Sequence, residues 1–500
     1  MSRSVVIPGS RLISGALIYI VSGTFQRASF LLFIPVLSRL LSKSEFGTYS
    51  FWISMYGIFQ ILLGLGMDAS INRLYHDYDK NVMQKSKFLY SLLLSQWIIL
   101  PVLGISCISI SYIFLSSFLE SIAIFPYLYI IVFAALFAKI FESVLAAYRT
   151  SQQPMPFLYL TLLIFLLLIL TSYLFVVAFR WTSTGAILAI LISNFIASIF
   201  SSWALLHRLI PSSIRLPIFV EALNYGFPTI FGKVGIWINS KSSTFIIAHA
   251  LSTVYLATFQ VASTSLTIIM LFCVSLSNAY VPWFYKHSVG LGKSSSSDRS
   301  IISNILLGDK VLILIYAIFS AMFFCFPVPF VALIAPLAEY NDAVRLVPLL
   351  AYSAFLFCQY SMFNKFLTFQ KYTLSSSLVV LLPALFAIPL IQFATRNYGL
   401  VGTAVGTILI FLSSLLASCL FAATKVPLYS SIYSSLFPRL IVINSGSFAT
   451  VLLSSFFVNN NSMDNHFILN LVIFLGYSIF AFLSIFSKPF LRFPRGQEAT

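Results

Sequence analysis

Acidic residues are scarce in this sequence. There are 13 Asp and Glu against 29 Lys and Arg in 500 residues, and charged residues make up only 8% of the chain. Soluble domains carry about a quarter of their residues charged, so too little polar surface is available here to coat a water-soluble globule. Cysteine is also rare. Cys107, Cys273, Cys325, Cys358 and Cys419 all lie in apolar runs and form no CxxC or CxxH pair. That spacing argues against a metal site or a disulfide framework and leaves small buried hydrophobes as the reading. No P-loop, GxSxG, HExxH or glycine-rich dinucleotide turn occurs, and the five histidines sit in loops or near the ends of apolar runs. No cofactor, no enzymatic activity and no ATP-driven transport by this chain alone are expected.

What is present is apolar length. Hydrophobic residues make up 59% of the chain and the mean hydropathy is +0.97. They fall in runs long enough to cross a hydrocarbon core, which takes about 20 residues of helix. A spanning β-barrel would show short alternating segments instead. Helices satisfy their own backbone groups, so lipid favours them. The pattern predicts fourteen spans: 12–41, 46–66, 88–112, 121–147, 157–179, 183–206, 221–250, 254–281, 304–330, 345–364, 373–394, 399–423, 439–458 and 466–487. The start, Met1 to Arg11, resembles a signal peptide, but the run behind it is too long for one, so it reads as a retained first span. With the N-terminus in the cytoplasm, twenty of the 29 Lys and Arg lie on the cytoplasmic side, in loops or at span ends, and only five on the outer side. This positive-inside bias supports the count, puts both termini in the cytoplasm, and explains the net charge of +16 without nucleic acid.

A weak internal repeat divides the chain. Leu41-Ser-Lys-Ser-Glu-Phe-Gly-Thr-Tyr49 aligns with Leu251-Ser-Thr-Val-Tyr-Leu-Ala-Thr-Phe259 at an offset of 210. Thr150 and Gln152 align with Thr368 and Gln370, and Gly185 with Gly402. The expected architecture is an all-α integral membrane protein of two six-helix lobes related by a parallel repeat, plus two extra C-terminal helices. The lobes are 1–206 and 207–282 with 304–423, with 283–303 a cytoplasmic connection. The extra pair covers 439–487. Two such lobes side by side can expose a midplane cleft to either face of the membrane in turn.

Charges inside spans mark function by default. Arg27 lies about 21–22 Å from the nearer end of its span, too far to snorkel easily, with Gln26 beside it. Lys233 and Lys241 lie two turns apart on the seventh span, with Asn239 between them, and the repeat aligns Arg27 with Trp237, midway between the lysines. These are the candidate substrate contacts. For Lys241, snorkelling to the outer face is the competing reading. Lys139 and Glu142 are spaced to pair on one helix face, and Asp68 reads as a local cap; these three form a possible coupling site or ion pair. A cavity lined by Arg and Lys suits an anionic cargo such as a pyrophosphate.

Pro35-Val-Leu-Ser-Arg-Leu-Leu-Ser-Lys-Ser-Glu-Phe-Gly-Thr-Tyr49, Ile71-Asn-Arg-Leu-Tyr75, Tyr148-Arg-Thr-Ser-Gln152, Asn224-Tyr-Gly-Phe-Pro228 and Tyr398-Gly-Leu-Val-Gly-Thr-Ala404 resemble stretches of polysaccharide-export flippases. These are the Wzx-like O-antigen and capsule repeat-unit translocases of the multidrug/oligosaccharidyl-lipid/polysaccharide superfamily. The resemblance implies a flippase for a polyprenyl-pyrophosphate-linked oligosaccharide in a bacterial inner membrane, acting by alternating access through a cationic cavity. Arg27, Lys233 and Lys241 would meet the pyrophosphate or acidic sugars. Partners would be the lipid-linked oligosaccharide, membrane lipids, and a glycan polymerase with its chain-length machinery. Where relatives often carry an acid after the tryptophan-containing stretch, this chain reads Asn239-Ser-Lys241-Ser-Ser243, which puts a borrowed ion-coupling scheme in question. Two alternatives remain open. A drug/cation antiporter of the MATE type shares the architecture but needs acids at mid-depth in the N-terminal half. A membrane glycan polymerase or acyltransferase needs a large outer loop.

Overall fold

In the computed structural model, residues 31, 33–78, 82–118, 122–288, 295–370, 372–425, 430–460 and 466–486 are described, and among them the secondary structure is entirely helical. After a helical segment over 33–40 come α1 (Lys43–Gly64), α2 (Met67–Asp77), α3 (Val82–Phe118), α4 (Tyr127–Thr150), α5 (Pro154–Ser172, prolonged by a π-helical turn to Ala178), α6 (Ser183–Leu206) and α7 (Leu216–Ala250). The second half carries α8 (Thr253–Ser288), α9 (Ser295–Cys325), α10 (Pro327–Ile334), α11 (Leu337–Phe369), α12 (Thr373–Lys425), α13 (Ser430–Asn460) and α14 (His466–Phe486).

Among the described residues, ten stretches are long and apolar enough to cross a membrane, or eleven with the α1–α2 pair, which bends by 42°. Three features account for the difference from fourteen. The 47-residue stretch Leu378–Thr424 counts once, yet Gly399 breaks it with φ 60 and ψ −141, close to the predicted gap between 394 and 399. Helix α7 carries Glu221, Lys233 and Lys241 and is not among the ten. The predicted span 12–41 lies mostly outside the described residues.

The chain packs as two compact units: Met1–Trp237 with Ser252–Ala257, and Ile238–Leu251 with Thr258–Thr500. This division by contacts cuts α7 after Trp237, whereas the repeat divides the chain between spans.

In the first unit α4 is the central helix. It packs against α1, α3 and α6 and buries one continuous side from Leu128 to Tyr148. Helix α3 turns Ile98, Val102, Ile105 and Ile113 outward, a face suited to lipid. Helix α1 begins with a capping box in which Ser42 receives the Glu45 amide while Glu45 accepts from the Ser42 backbone. Two orphan donors are thereby satisfied, which gives the Ser42-Lys-Ser-Glu45 string a structural role. Two residues on, Gly47 lies so close to the Thr253 backbone that a Cβ there would sit 1.9 Å from the carbonyl oxygen, and Ser44 and Thr253 share a 3.1 Å hydroxyl contact. The two segments aligned by the repeat therefore touch.

In the second unit α11 is central, with α9, α12 and α13 around it. The final helix pair is tied in by polar contacts. Gln359 of α11 and Asn444 of α13 exchange two amide hydrogen bonds, 2.8 and 3.2 Å long. Ser447 of α13 meets Tyr477 of α14 at 2.6 Å.

Candidate functional site

The break between α1 and α2 builds the charged site of the first unit. Leu65 and Gly66 both take positive φ, 48 and 68, which is open to glycine at little cost and strained for leucine. The chain turns and restarts as α2, placing Asp68 in its first turn, where the helix dipole favours a carboxylate. Helix α7 lies against this corner. A Cβ on Gly66 would come within 2.1 Å of the Gly226 carbonyl oxygen, and the Ser70 hydroxyl donates to the Ala222 carbonyl at 2.5 Å. Ala222, Gly226, Lys233 and Trp237 recur at helical spacing on one face of α7. That face delivers Lys233 to Asp68, with its nitrogen 2.8 and 2.9 Å from the two carboxylate oxygens. Further along, the Trp237 indole donates to the Ser54 carbonyl at 3.1 Å.

Lys139 and Glu142 of α4 pair with each other. The Lys139 stem lies over Gly64, where a Cβ would be 2.9 Å from its Cδ, and its charge acts on Asp68. Glu142 in turn acts on buried Tyr56, which bonds Gln60 and, at 3.2 Å, Asn194. Three helices, α7, α2 and α4, thus assemble an alternating string of Lys233, Asp68, Lys139 and Glu142. All four are at least partly buried, and their formal charge sums to zero.

The predicted substrate contacts separate. Lys233 is neutralised by Asp68. Lys241, in the second unit, is half-buried on α7 and has neither an ion-pair nor a hydrogen-bond partner among the described residues. Asn239 is buried; its amide donates to the Val380 carbonyl of α12 at 3.2 Å, while its Oδ1 has no partner among the described residues. Arg27 and Gln26 lie outside the described residues. No convergence of three or more His, Cys, Asp or Glu that could hold a metal occurs among the described residues.

One charged group escaped the sequence reading. Asp309 of α9 and Lys365 of α11 form an ion pair that is almost wholly buried. Asp309 falls inside the predicted span 304–330 and was the available signal. Lys365 lies one residue past the predicted end of its span, so it read as a loop cation.

This fold has known counterparts. The lipid II flippase MurJ in an inward closed conformation superposes with a TM-score of 0.66 at 15% identity, over 94% of this chain and 98% of that one. A multidrug resistance MATE family transporter of the MOP superfamily matches in its outward-facing conformation with a TM-score of 0.57 at 14% identity, covering 83% and 95%. An inward-facing conformation of such a transporter matches at 0.53 and 15%, covering 80% and 98%. At these identities the likeness concerns the fold. No curated protein matches by sequence. The family profile described as polysaccharide biosynthesis protein matches residues 12–288, more than half of the chain, and the protein belongs to that family.

Proposed function

We propose that the protein is a flippase that moves a polyprenyl-pyrophosphate-linked oligosaccharide, an O-antigen, capsule or exopolysaccharide repeat unit, from the cytoplasmic to the outer leaflet of a bacterial inner membrane. The family supports a role in polysaccharide biosynthesis, and the fold is one shared with lipid and drug transporters. The observation that carries the reading is Lys241. Lys241 lies in the span 221–250 expected from the sequence, and a cation within a span faces a cavity, a water-filled path or a counter-charge. Lys233, Lys139 and Lys365 each have a carboxylate. Lys241 has none among the described residues, so its counter-charge is supplied by the cargo, whose pyrophosphate is an anion of the right kind. Arg27 and Gln26 are proposed as the matching contacts on the first span, and Asn239 as a polar neighbour. The cargo crosses by alternating access, and a glycan polymerase with chain-length machinery takes the product.

The test is a deletion strain carrying variants on a plasmid. Deletion should leave lipid-linked repeat units accumulated in the cytoplasmic leaflet. Lys241→Ala should fail to clear them although it inserts normally, and Lys241→Arg should restore part of the export. Normal surface glycan with Lys241→Ala would remove this residue from the site. Normal clearance in the deletion strain would remove the function.

A further inference from the structure

The buried Asp309–Lys365 pair is built differently from a static ion pair. Asp309 is 0% exposed and Lys365 6%, and they pair across α9 and α11. Asp309 Oδ1 takes both available donors, the Lys365 ammonium and the Tyr280 hydroxyl of α8, the latter at 2.8 Å. Oδ2 is buried and has no donor among the described residues. Each partner of the carboxylate has a second place to go. The Tyr280 hydroxyl also lies 3.3 Å from the Ile305 carbonyl. The Lys365 nitrogen lies over the rings of Tyr280, Phe284 and Phe366, at 4.4, 4.8 and 5.1 Å, an aromatic cage that holds a cation by itself.

We infer that Asp309 is a proton-binding site whose protonation loosens the tie of α9 to α8 and α11. The carboxylate takes one proton from water at Oδ2, the oxygen without a donor, and the pair changes from neutral to a single positive charge. The ammonium is left in its aromatic cage and the tyrosine hydroxyl turns to Ile305, so neither is orphaned. A fixed structural pair lacks such fallbacks, and loss of either partner then strands a buried charge. Among the described residues the groups acting on Asp309 are Lys365 from α11 and Tyr280 from α8. Lys310, its chain neighbour, feels Arg439 of α13 instead. Helix α10 and the stretch Ile468–Phe486 of α14 contain no charged residue, and Tyr477 there is engaged with Ser447.

The experiment uses the full chain in lipid nanodiscs and needs no cargo, so it stands or falls apart from the flippase reading. Infrared difference spectra on lowering pH should show a protonated carboxyl band that moves in D2O and is missing in Asp309→Asn. In Lys365→Met, where the counter-charge is gone, the band should be present already at neutral pH. Asp309→Asn should keep nearly the wild-type melting temperature, whereas Lys365→Met should lower it clearly. Absence of an Asp309 band at every pH where the protein remains folded would overturn the proposal. So would an Asp309→Asn variant as unstable as Lys365→Met, which is the result for a static bridge.

Discussion

Replacing Gly66 with alanine should damage the protein more than the same change at Gly399, although both residues have positive φ, 68 and 60. At Gly66 the new methyl would lie 2.1 Å from the Gly226 oxygen, 2.4 Å from its carbonyl carbon and 2.7 Å from its Cα. All three are backbone atoms and cannot swing aside. Ordinary contact begins at 3.4 Å, so α7 would have to retreat by roughly 1.3 Å, an overpacking cost of about 1–3 kcal/mol. The left-handed backbone adds about 1–2 kcal/mol for a residue with a Cβ. The expected loss at Gly66 is therefore about 2–5 kcal/mol. At Gly399 a Cβ would meet nothing within 4 Å, and only the backbone cost applies, about 1–3 kcal/mol for a side chain held near its φ 60 and ψ −141. Gly476, helical and equally unobstructed, is the control, and alanine there should stabilise by about 0.5–1 kcal/mol. Equilibrium unfolding in mixed micelles of the three variants reads the series. Equal losses at Gly66 and Gly399 would show that α7 does not press on the α1–α2 corner, and the delivery of Lys233 to Asp68 would lose its basis.

Other outcomes follow from the same geometry. Asp68→Asn and Lys233→Met should each impair export, and the reversed pair Asp68→Lys with Lys233→Asp should recover part of it; a double-mutant cycle should give a coupling on the order of 1 kcal/mol, since both groups keep about a third of their surface. Additive single-mutant effects would deny the pairing. Arg27→Ala should abolish export with insertion intact, and full surface glycan in that variant would exclude the residue. A reporter fused after Lys293 should read as cytoplasmic, and an external signal would reverse the topology.

The spans were legible because burial in lipid demands long apolar runs, and the described helices start and stop within nine residues of the predicted edges. The α4 pair was legible as well, since Lys139 and Glu142 are three residues apart and a helix puts them on one face. The Asp68–Lys233 pair was not. The two residues are 165 apart in sequence, and only the Gly66–Gly226 approach brings them together. Asp68 therefore read as a cap and Lys233 as a cavity cation. Lys365 was missed for a related reason. Asn364 and Lys365 end an apolar run and so look like a helix end, yet α11 continues to Phe369 because Asp309 and three aromatic rings compensate the charge.

The Gln359–Asn444 exchange fixes the length of chain that this sequence can do without. Both amides are spent on each other in a medium that offers no water. Sliding α13 along α11 by one residue, or ending the protein before Ser430, would bare Gln359 to hydrocarbon with its donor and acceptor both idle. The last two helices are therefore not a detachable appendage: a version ending before α13 would have to be apolar at position 359 to insert as well.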